Sequence, residues 1–459
     1  MKKHYHLIGI GGIGMSGIAQ LLLACGYRVS GSDLKDNRIT QELKVKGAQI
    51  FIGHNAKNVE GADVAVYSSA IKEDNPEVIK ARSLGLSVIM RAEALAYLMQ
   101  DKTVIAVAGS HGKTTTTSLV SCLLLEAGLF PTVAIGGILK NIDTNACLGN
   151  GKFFVAEADE SDGSFLYYKP DYSIVTNIDQ EHLDYYKTFQ KEIDAFRDFI
   201  NRTGDKGCVF CSADDSNLVN ILKESRKKYV LFGLNPNAHI YPRNIKFAGL
   251  SSEFECIYKN NSLGDFRLAL GGEHNISNAL SVIALGMELG IDLGFIRKAL
   301  SGYKGAGRRL EVKYASQSFK VIDDYAHHPT EIRATLKAAK KLEHDRLIAI
   351  FQPHRYTRTQ LLLDDFAKSF KDADCLVVTE VYAASEKPIE GVSANLLVDK
   401  IKDQGDVKTV IYLPKDNVIE YIQEIIRPGD LVITLGAGDI VKVSDELAER
   451  IKNKTWLSS

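Results

Sequence analysis

Several features are scarce in this 459-residue chain, and each scarcity excludes a class of explanation. Excess charge of one sign is missing: 56 Lys+Arg face 57 Asp+Glu, a formal net charge of -1. No global positive field is available for nucleic acid or an anionic membrane, so anions must be held by local sites. Long apolar runs are missing too, since no segment approaches the ~20 residues a membrane span needs. Lys2 and Lys3 precede an apolar stretch, but His4, Tyr5 and His6 interrupt it and a glycine turn follows at once, so no secretory leader is expected. The seven cysteines are odd in number and irregularly spaced, which reads as reduced thiols in a cytoplasmic protein rather than a disulfide framework. The one close pair, Cys208 and Cys211, lacks the second pair or histidine partner of a zinc site and is read as thiols packed beside a strand. Compositional bias is absent as well: 45% hydrophobic, 25% charged and 8% aromatic residues exclude a disordered, collagen-like or coiled-coil chain. At roughly 150 residues per domain, the length implies about three domains.

What is present is a strand, glycine turn and helix pattern that restarts along the chain. Residues 6–10 are apolar, 9–14 read GIGGIG, 15–25 are a helical run closed by Gly26, and a second strand at 27–30 ends at Gly31-Ser32-Asp33. This G-x-G-x-x-G pattern with a later acidic residue suits a diphosphate at a helix N-terminus and a carboxylate on ribose. Alone it leaves open a tight turn, a dinucleotide or another diphosphate-bearing ligand. Residues 62–70 and 86–90 read as further strands of the same parallel sheet.

Near residue 100 the pattern recurs as a strand at 103–108, the loop Gly109-Ser110-His111-Gly112-Lys113-Thr114 and a helix at 115–126. Backbone N–H groups and the helix dipole cradle phosphate oxygens in such a loop, with Lys113 on the terminal phosphates and the Thr114 hydroxyl on Mg²⁺. Val107 occupies the position of the motif's first glycine. A strand at 153–156 leads into Glu157-Ala158-Asp159-Glu160-Ser161-Asp162, where at least one carboxylate is expected to serve the metal. A strand at 172–178 leads into residues 179–184, where His182 is a candidate second ligand. From Lys304-Gly305-Ala306-Gly307-Arg308-Arg309 onward a third α/β block follows, with strands at 321–325, 347–352, 376–379 and 431–435. Arg355 and Arg358, clustered after one of these strands, suit an anion because a guanidinium fork matches carboxylate or phosphate. A phosphate loop, a separate diphosphate site and an Arg-rich third block fit ATP-dependent amide ligation, in which a phosphoryl group activates a carboxylate toward an amine.

Eight collinear motifs, GIGGIG from Gly9, AGSHGKTTTT from Ala108, EADESDGSF from Glu157, NIDQEHLD from Asn177, GEHNISNA from Gly272, GAGRRLE from Gly305, DDYAHHPTE from Asp323 and FQPHRYTRT from Phe351, resemble those of the Mur ligases of peptidoglycan synthesis. The resemblance implies an α/β fold of three domains. These are an N-terminal Rossmann-like domain (1–98) for a UDP-sugar, a central P-loop ATPase domain with a mostly parallel sheet (99–306), and a C-terminal Rossmann-like domain (307–459) that closes on ATP and amino acid. It implies the alanine-adding branch, with UDP-N-acetylmuramate and L-alanine as substrates, ATP and Mg²⁺, and a monomer or weak homodimer.

By the same resemblance, Gly11, Ile13, Gly14, Ser32, Asp33 and Ser69 hold the UDP-sugar. Gly109, Ser110, His111, Gly112, Lys113, Thr114, Thr115, Asn275, Asn278, Arg309 and Asp324 bind ATP. Thr114, Glu157 and His182 hold metal, and Lys113, Glu157, His182, His327, Arg355 and Arg358 form the catalytic set. Two departures stand out: Ser110 replaces the usual threonine, and Ala195-Phe196-Arg197 occupies the stretch where sibling ligases carry a carbamylated lysine. The alanine-adding branch also lacks that lysine.

Overall fold

The computed structural model describes residues 2–316, 318–384 and 386–453, the side chain of Asp184 excepted. The last six residues of the expected third domain lie outside this range. The described chain forms three sheets of five, ten and six strands.

The five-stranded sheet is parallel throughout, in the order Gln49–Ile52, Arg28–Asp33, His4–Ile8, Val64–Tyr67, Ser87–Met90. Its second strand is longer than its apolar residues suggest. Gly31-Ser32-Asp33 continue the ladder, because Gly31 removes a Cβ that would sit 2.5 Å from the Leu7 carbonyl. The first helix runs Ile13–Ala24 rather than 15–25, so Ile13 and Gly14 lie in its first turn. The expected strand at 62–70 is confined to Val64–Tyr67, where the Ser68-Ser69 turn ends it.

In the ten-stranded sheet, Thr103–Ala108 lies between Tyr172–Val175 and Phe153–Glu157, parallel to both. This adjacency places residues 109–114, 157–162 and 176–182 side by side beyond the C-terminal ends of these three parallel strands. The strand expected at 172–178 stops at Val175, which frees Thr176–Asp179 to fold over the phosphate loop. The helix following that loop starts at Lys113, two residues earlier than its apolar pattern suggests, and runs to Glu126. It is buried from Thr114 to Leu124. Two of its hydroxyls turn back onto the helix itself, Thr117 donating to the Lys113 carbonyl at 2.8 Å and Ser121 to the Thr117 carbonyl at 2.7 Å. Cys208 and Cys211 are both buried in the strand Cys208–Ser212, and burial pushes the Cys208 thiol up to about 11.

The six-stranded sheet runs Glu311–Ala315, Phe319–Asp324, Asp430–Leu435, Arg346–Phe351, Cys375–Val378, Thr409–Tyr412, with only its first pair antiparallel. The four strands expected here shift by at most two residues at either end, whereas Glu311–Ala315 and Thr409–Tyr412 were not expected from the sequence.

By internal contacts the chain groups into two compact units. One comprises 1–244, 254–268 and 277–304, and the other 245–253, 269–276 and 305–459. The first two sheets share a unit because the helix Ile13–Ala24 packs on Thr132–Leu139 and Thr144–Cys147. Asn145 also donates to the Ile13 carbonyl at 2.6 Å and accepts from Gln20 at 2.9 Å. Among the described residues, no helix is long and apolar enough to cross a membrane.

Candidate active site

The phosphate loop is held in shape by its own hydrogen bonds. The Ser110 N–H donates to the Asn177 carbonyl, the His111 N–H to Asn177 Oδ1 at 2.9 Å, and the Asp179 N–H to Ser110 Oγ at 2.8 Å. His111 Nε2 lies 2.9 Å from Asp179 Oδ2. Ser110 thus uses its hydroxyl as a brace, a role that threonine could share. Gly112 is required twice over: its φ of +84° is left-handed, and a Cβ would stand 2.8 Å from Asn278 Oδ1. The amide expected to read adenine therefore passes directly over the loop.

Lys113 Nζ donates to the Gly109 carbonyl at 2.6 Å, the Ser110 carbonyl at 3.1 Å and Glu160 Oε1 at 2.7 Å. Burial alone would lower its pKa, but the carboxylates of Glu160, Asp159 and Glu157 override this and hold the ammonium well above its ordinary value. Thr114 Oγ1 donates to the Glu157 carboxylate at 3.0–3.1 Å, and the Gly136 N–H donates to the same carboxylate at 2.8 Å.

Ligand atoms of Glu160, Glu181 and His182 lie within 4.8 Å of one another. Glu160 Oε2 is buried with no hydrogen-bond partner. Hard oxygens plus one imidazole, including a buried carboxylate oxygen left over, fit a divalent cation. His182 adopts φ +54°, rare for a non-glycine residue, as the cap of Leu183–Tyr186. Glu160 and Glu181 belong to the motifs read in the sequence, yet no role was assigned to either. Four carboxylates in six residues look alike until the strands align them.

Glu192, fully buried on the helix Phe189–Asn201, was also missed. Burial, reinforced by Glu160 and Glu181, raises its pKa to about 8, so its carboxyl is neutral at pH 7. Because the folded-state value lies above the unfolded one, the native state retains a proton that the unfolded chain loses between about pH 4.5 and 8. Stability from this group is thus greatest at low pH and declines across that window. Glu192→Gln is expected to leave Tm unchanged near pH 4 and to raise it progressively toward pH 8, measured by thermal unfolding with a chelator present. A difference independent of pH would contradict the assignment.

In the five-stranded sheet, Asp33 Oδ2 accepts from the Gly11 N–H at 2.9 Å, so this carboxylate caps the glycine turn. Gly14 faces Arg91, whose nearest guanidinium nitrogen would clash with any Cβ there. Arg91 also donates to Asp159 Oδ2 at 3.0 Å, which links this turn to the acidic segment. Sequence reading missed Arg91, since a lone arginine after a strand carries no signal. Ser69 is exposed in its turn.

The other unit carries its own cluster. Asp324 accepts from the N–H groups of Leu310 and Ala326 and from the Thr335 hydroxyl, and burial, opposed by Arg309, raises it to about 6. Arg309 lies over the Tyr325 ring, 5.0 Å from its centroid, and 3.7 Å from Glu331. Asn275 donates to the Gly271 carbonyl at 2.8 Å. His327 packs edge-on against His354, which in turn stacks on Tyr382. Arg358 donates to His354 Nδ1 at 3.3 Å. Burial and then the neighbouring cations push His354 down to about 3, so it stays neutral. Arg355, at φ +70°, donates its N–H to the Tyr382 carbonyl at 2.8 Å. His354, Tyr382 and Glu331 had no sequence-based role.

Strand-end loops carrying a hydrogen-bonded glycine loop, a charged lysine and a hydroxyl–carboxylate pair define a multidomain P-loop enzyme of the α/β class. Family models match in chain order: "Mur ligase family, catalytic domain" at 4–103, "Mur ligase middle domain" at 107–286 and "Mur ligase, glutamate ligase domain" at 308–438. The chain belongs to the Mur ligase family. It is 46% identical over 451 residues to a UDP-N-acetylmuramate--L-alanine ligase of Geobacter sp. (strain M21), covering 98% of each chain. It is 48% identical over 448 residues to the protein of that name from Geotalea uraniireducens (strain Rf4), covering 97% of this chain and 98% of that one. Among solved structures, a UDP-N-acetylmuramate-alanine ligase from Thermotoga maritima matches with a TM-score of 0.84 and 30% identity over 98% of this chain and 99% of that one. A murein peptide ligase from Psychrobacter arcticus matches at 0.73 and 25% over the same shares.

Proposed function

We propose that this protein joins L-alanine to the lactyl carboxylate of UDP-N-acetylmuramate at the expense of ATP. The products are UDP-N-acetylmuramoyl-L-alanine, ADP and phosphate, a step of peptidoglycan synthesis in the cytoplasm. The observation that carries this reading is the match, over nearly the full length of both chains, to relatives bearing that name. A carboxylate oxygen attacks the γ-phosphorus, ADP departs, and the alanine amine then attacks the acyl carbon as phosphate leaves. Region 1–98 takes the UDP-sugar through Gly11, Ile13, Gly14, Ser32, Asp33 and Ser69, and 99–306 takes ATP. In 307–459, His327, Arg355 and Arg358 orient alanine, while Arg309 and Asp324 meet the nucleotide.

Within the ATP region, the N-terminal amides of the helix Lys113–Glu126 and the Lys113 ammonium receive the phosphates. Asn275 and Asn278 read the adenine. Thr114, Glu157 and His182 would hold Mg²⁺, which neutralises charge on the transferring phosphoryl group. The absence of a carbamylated lysine is compatible with Glu160 and Glu181 adding negative charge beside His182.

The test is phosphate release from ATP, Mg²⁺ and UDP-N-acetylmuramate, with L-alanine or with a preformed tripeptide. Alanine-dependent release is expected. Release driven only by tripeptide would favour the activity named for the Psychrobacter structure, and no dependence on either would reject the reading.

A further inference from the structure

A carboxylate and two histidines are buried in the five-stranded sheet, and the reading above gives them no task. Glu77 and His6 are fully buried and His4 nearly so. His4 Nε2 and His6 Nδ1 lie 2.9 and 2.8 Å from Ser30 Oγ, and His6 Nε2 lies 3.2 Å from Glu77 Oε2. Apolar residues could fill such space without the cost of desolvating a carboxylate. A fully bonded buried network does something apolar packing cannot: it fixes the groups it bonds in one arrangement.

What Glu77 fixes can be traced bond by bond. Its Oε2 accepts the Ser32 hydroxyl at 2.5 Å. Ser32 in turn accepts through its backbone carbonyl from the N–H groups of Gly9 at 2.8 Å and Ile10 at 3.0 Å. Glu77 Oε1 accepts from the Asn55 N–H at 3.0 Å and Asn58 Nδ2 at 2.6 Å, in the loop that follows Gln49–Ile52. His54 of that loop lies 3.0 Å from Ser32 Oγ through Nδ1. The single Ser32 hydroxyl hydrogen is spent on Glu77, so its lone pairs face His54. Burial works against the charge, but these donors win and depress the carboxyl to about 2. One permanently ionised group therefore ties the glycine turn to the 53–58 loop, both at the strand ends where parallel sheets take ligands.

We propose that Glu77 is a positioning residue for UDP-sugar binding, acting through Ser32 and the 53–58 loop to hold the glycine turn in its ligand-receiving shape. This rests on the assignment of the UDP-sugar to that turn. In the full-length enzyme, Glu77→Gln is expected to raise both the KM and the Kd for UDP-N-acetylmuramate roughly tenfold, the scale for misplacing a buried hydrogen-bonded group. The kcat at saturation and the KM for ATP should stay within about twofold. A merely structural role would instead lower kcat with the amount of folded enzyme and leave KM in place.

Ser32→Ala should raise the same KM, and the double variant should lose less than the two single losses combined, because both substitutions cut the Ser32 arm. Additive losses would overturn the relay. If Glu77→Gln does not fold, Asn58→Ala keeps the charge and removes one donor; a smaller rise in the same KM is expected, and an unchanged KM overturns the proposal. Wild-type enzyme that fails to bind UDP-N-acetylmuramate in calorimetry would overturn the functional reading itself. Wild-type binding with an unchanged KM in Glu77→Gln overturns this proposal alone.

Discussion

Lys113→Ala is expected to lower turnover by roughly 10²–10³ or more, the scale for losing a preorganised charge aimed at developing negative charge. The three ammonium donors go to the Gly109 and Ser110 carbonyls and to Glu160, so a phosphate oxygen would replace one of these partners at the loop. The substitution also strips Glu160 of its buried partner, and breaking such a pair typically costs about 3–5 kcal/mol of stability. The two effects can be separated. Glu160→Gln in the Lys113→Ala background should return most of the lost Tm and none of the turnover. Single-turnover rates at saturating ATP, beside thermal melts, make the comparison. A Lys113→Ala enzyme of near-native rate would remove the lysine from the proposed chemistry.

Glu157→Gln is expected to reduce turnover by roughly 10²-fold and to shift the Mg²⁺ dependence to higher concentration, because a charged hard-oxygen ligand becomes a neutral one. The fold should tolerate it: an amide oxygen can still accept from Thr114 Oγ1 or the Gly136 N–H, now at 3.0 and 2.8 Å. A titration of kcat against Mg²⁺ is the measurement. Native turnover with an unmoved Mg²⁺ curve would show that the carboxylate only braces the strand end.

Much of the organisation was legible because glycines and apolar strands punctuate it. The pattern at 103–114 encodes a strand, a cradle and a helix locally, so the cradle residues follow from spacing alone. Neighbouring strands also deliver Glu157 and His182, and the acidic and histidine motifs flagged both. Boundaries shifted wherever a polar residue continued an element, as at Ser32 and Asp33 in the first sheet or Lys113 at the helix start. Arg91, Glu77 and Glu192 stayed hidden for a different reason. Each acts by meeting a residue distant in sequence, Asp159, Ser32 and Glu160 respectively, and no local pattern announces such a meeting. The grouping of the first two sheets in one compact unit was likewise invisible, since it depends on the packing of the helix Ile13–Ala24 on strands more than 100 residues away.

The helix Lys113–Glu126, buried along most of its length, has a consequence for how the protein breathes. With Thr114–Leu124 shielded from water, its amides can exchange hydrogen only when the unit around it opens, so it belongs to the slowest-exchanging part of the molecule. The cradle is the N-terminal end of that rigid rod. On the proposed reading, phosphates would dock at the end of a buried element, and little conformational entropy would be lost in receiving them.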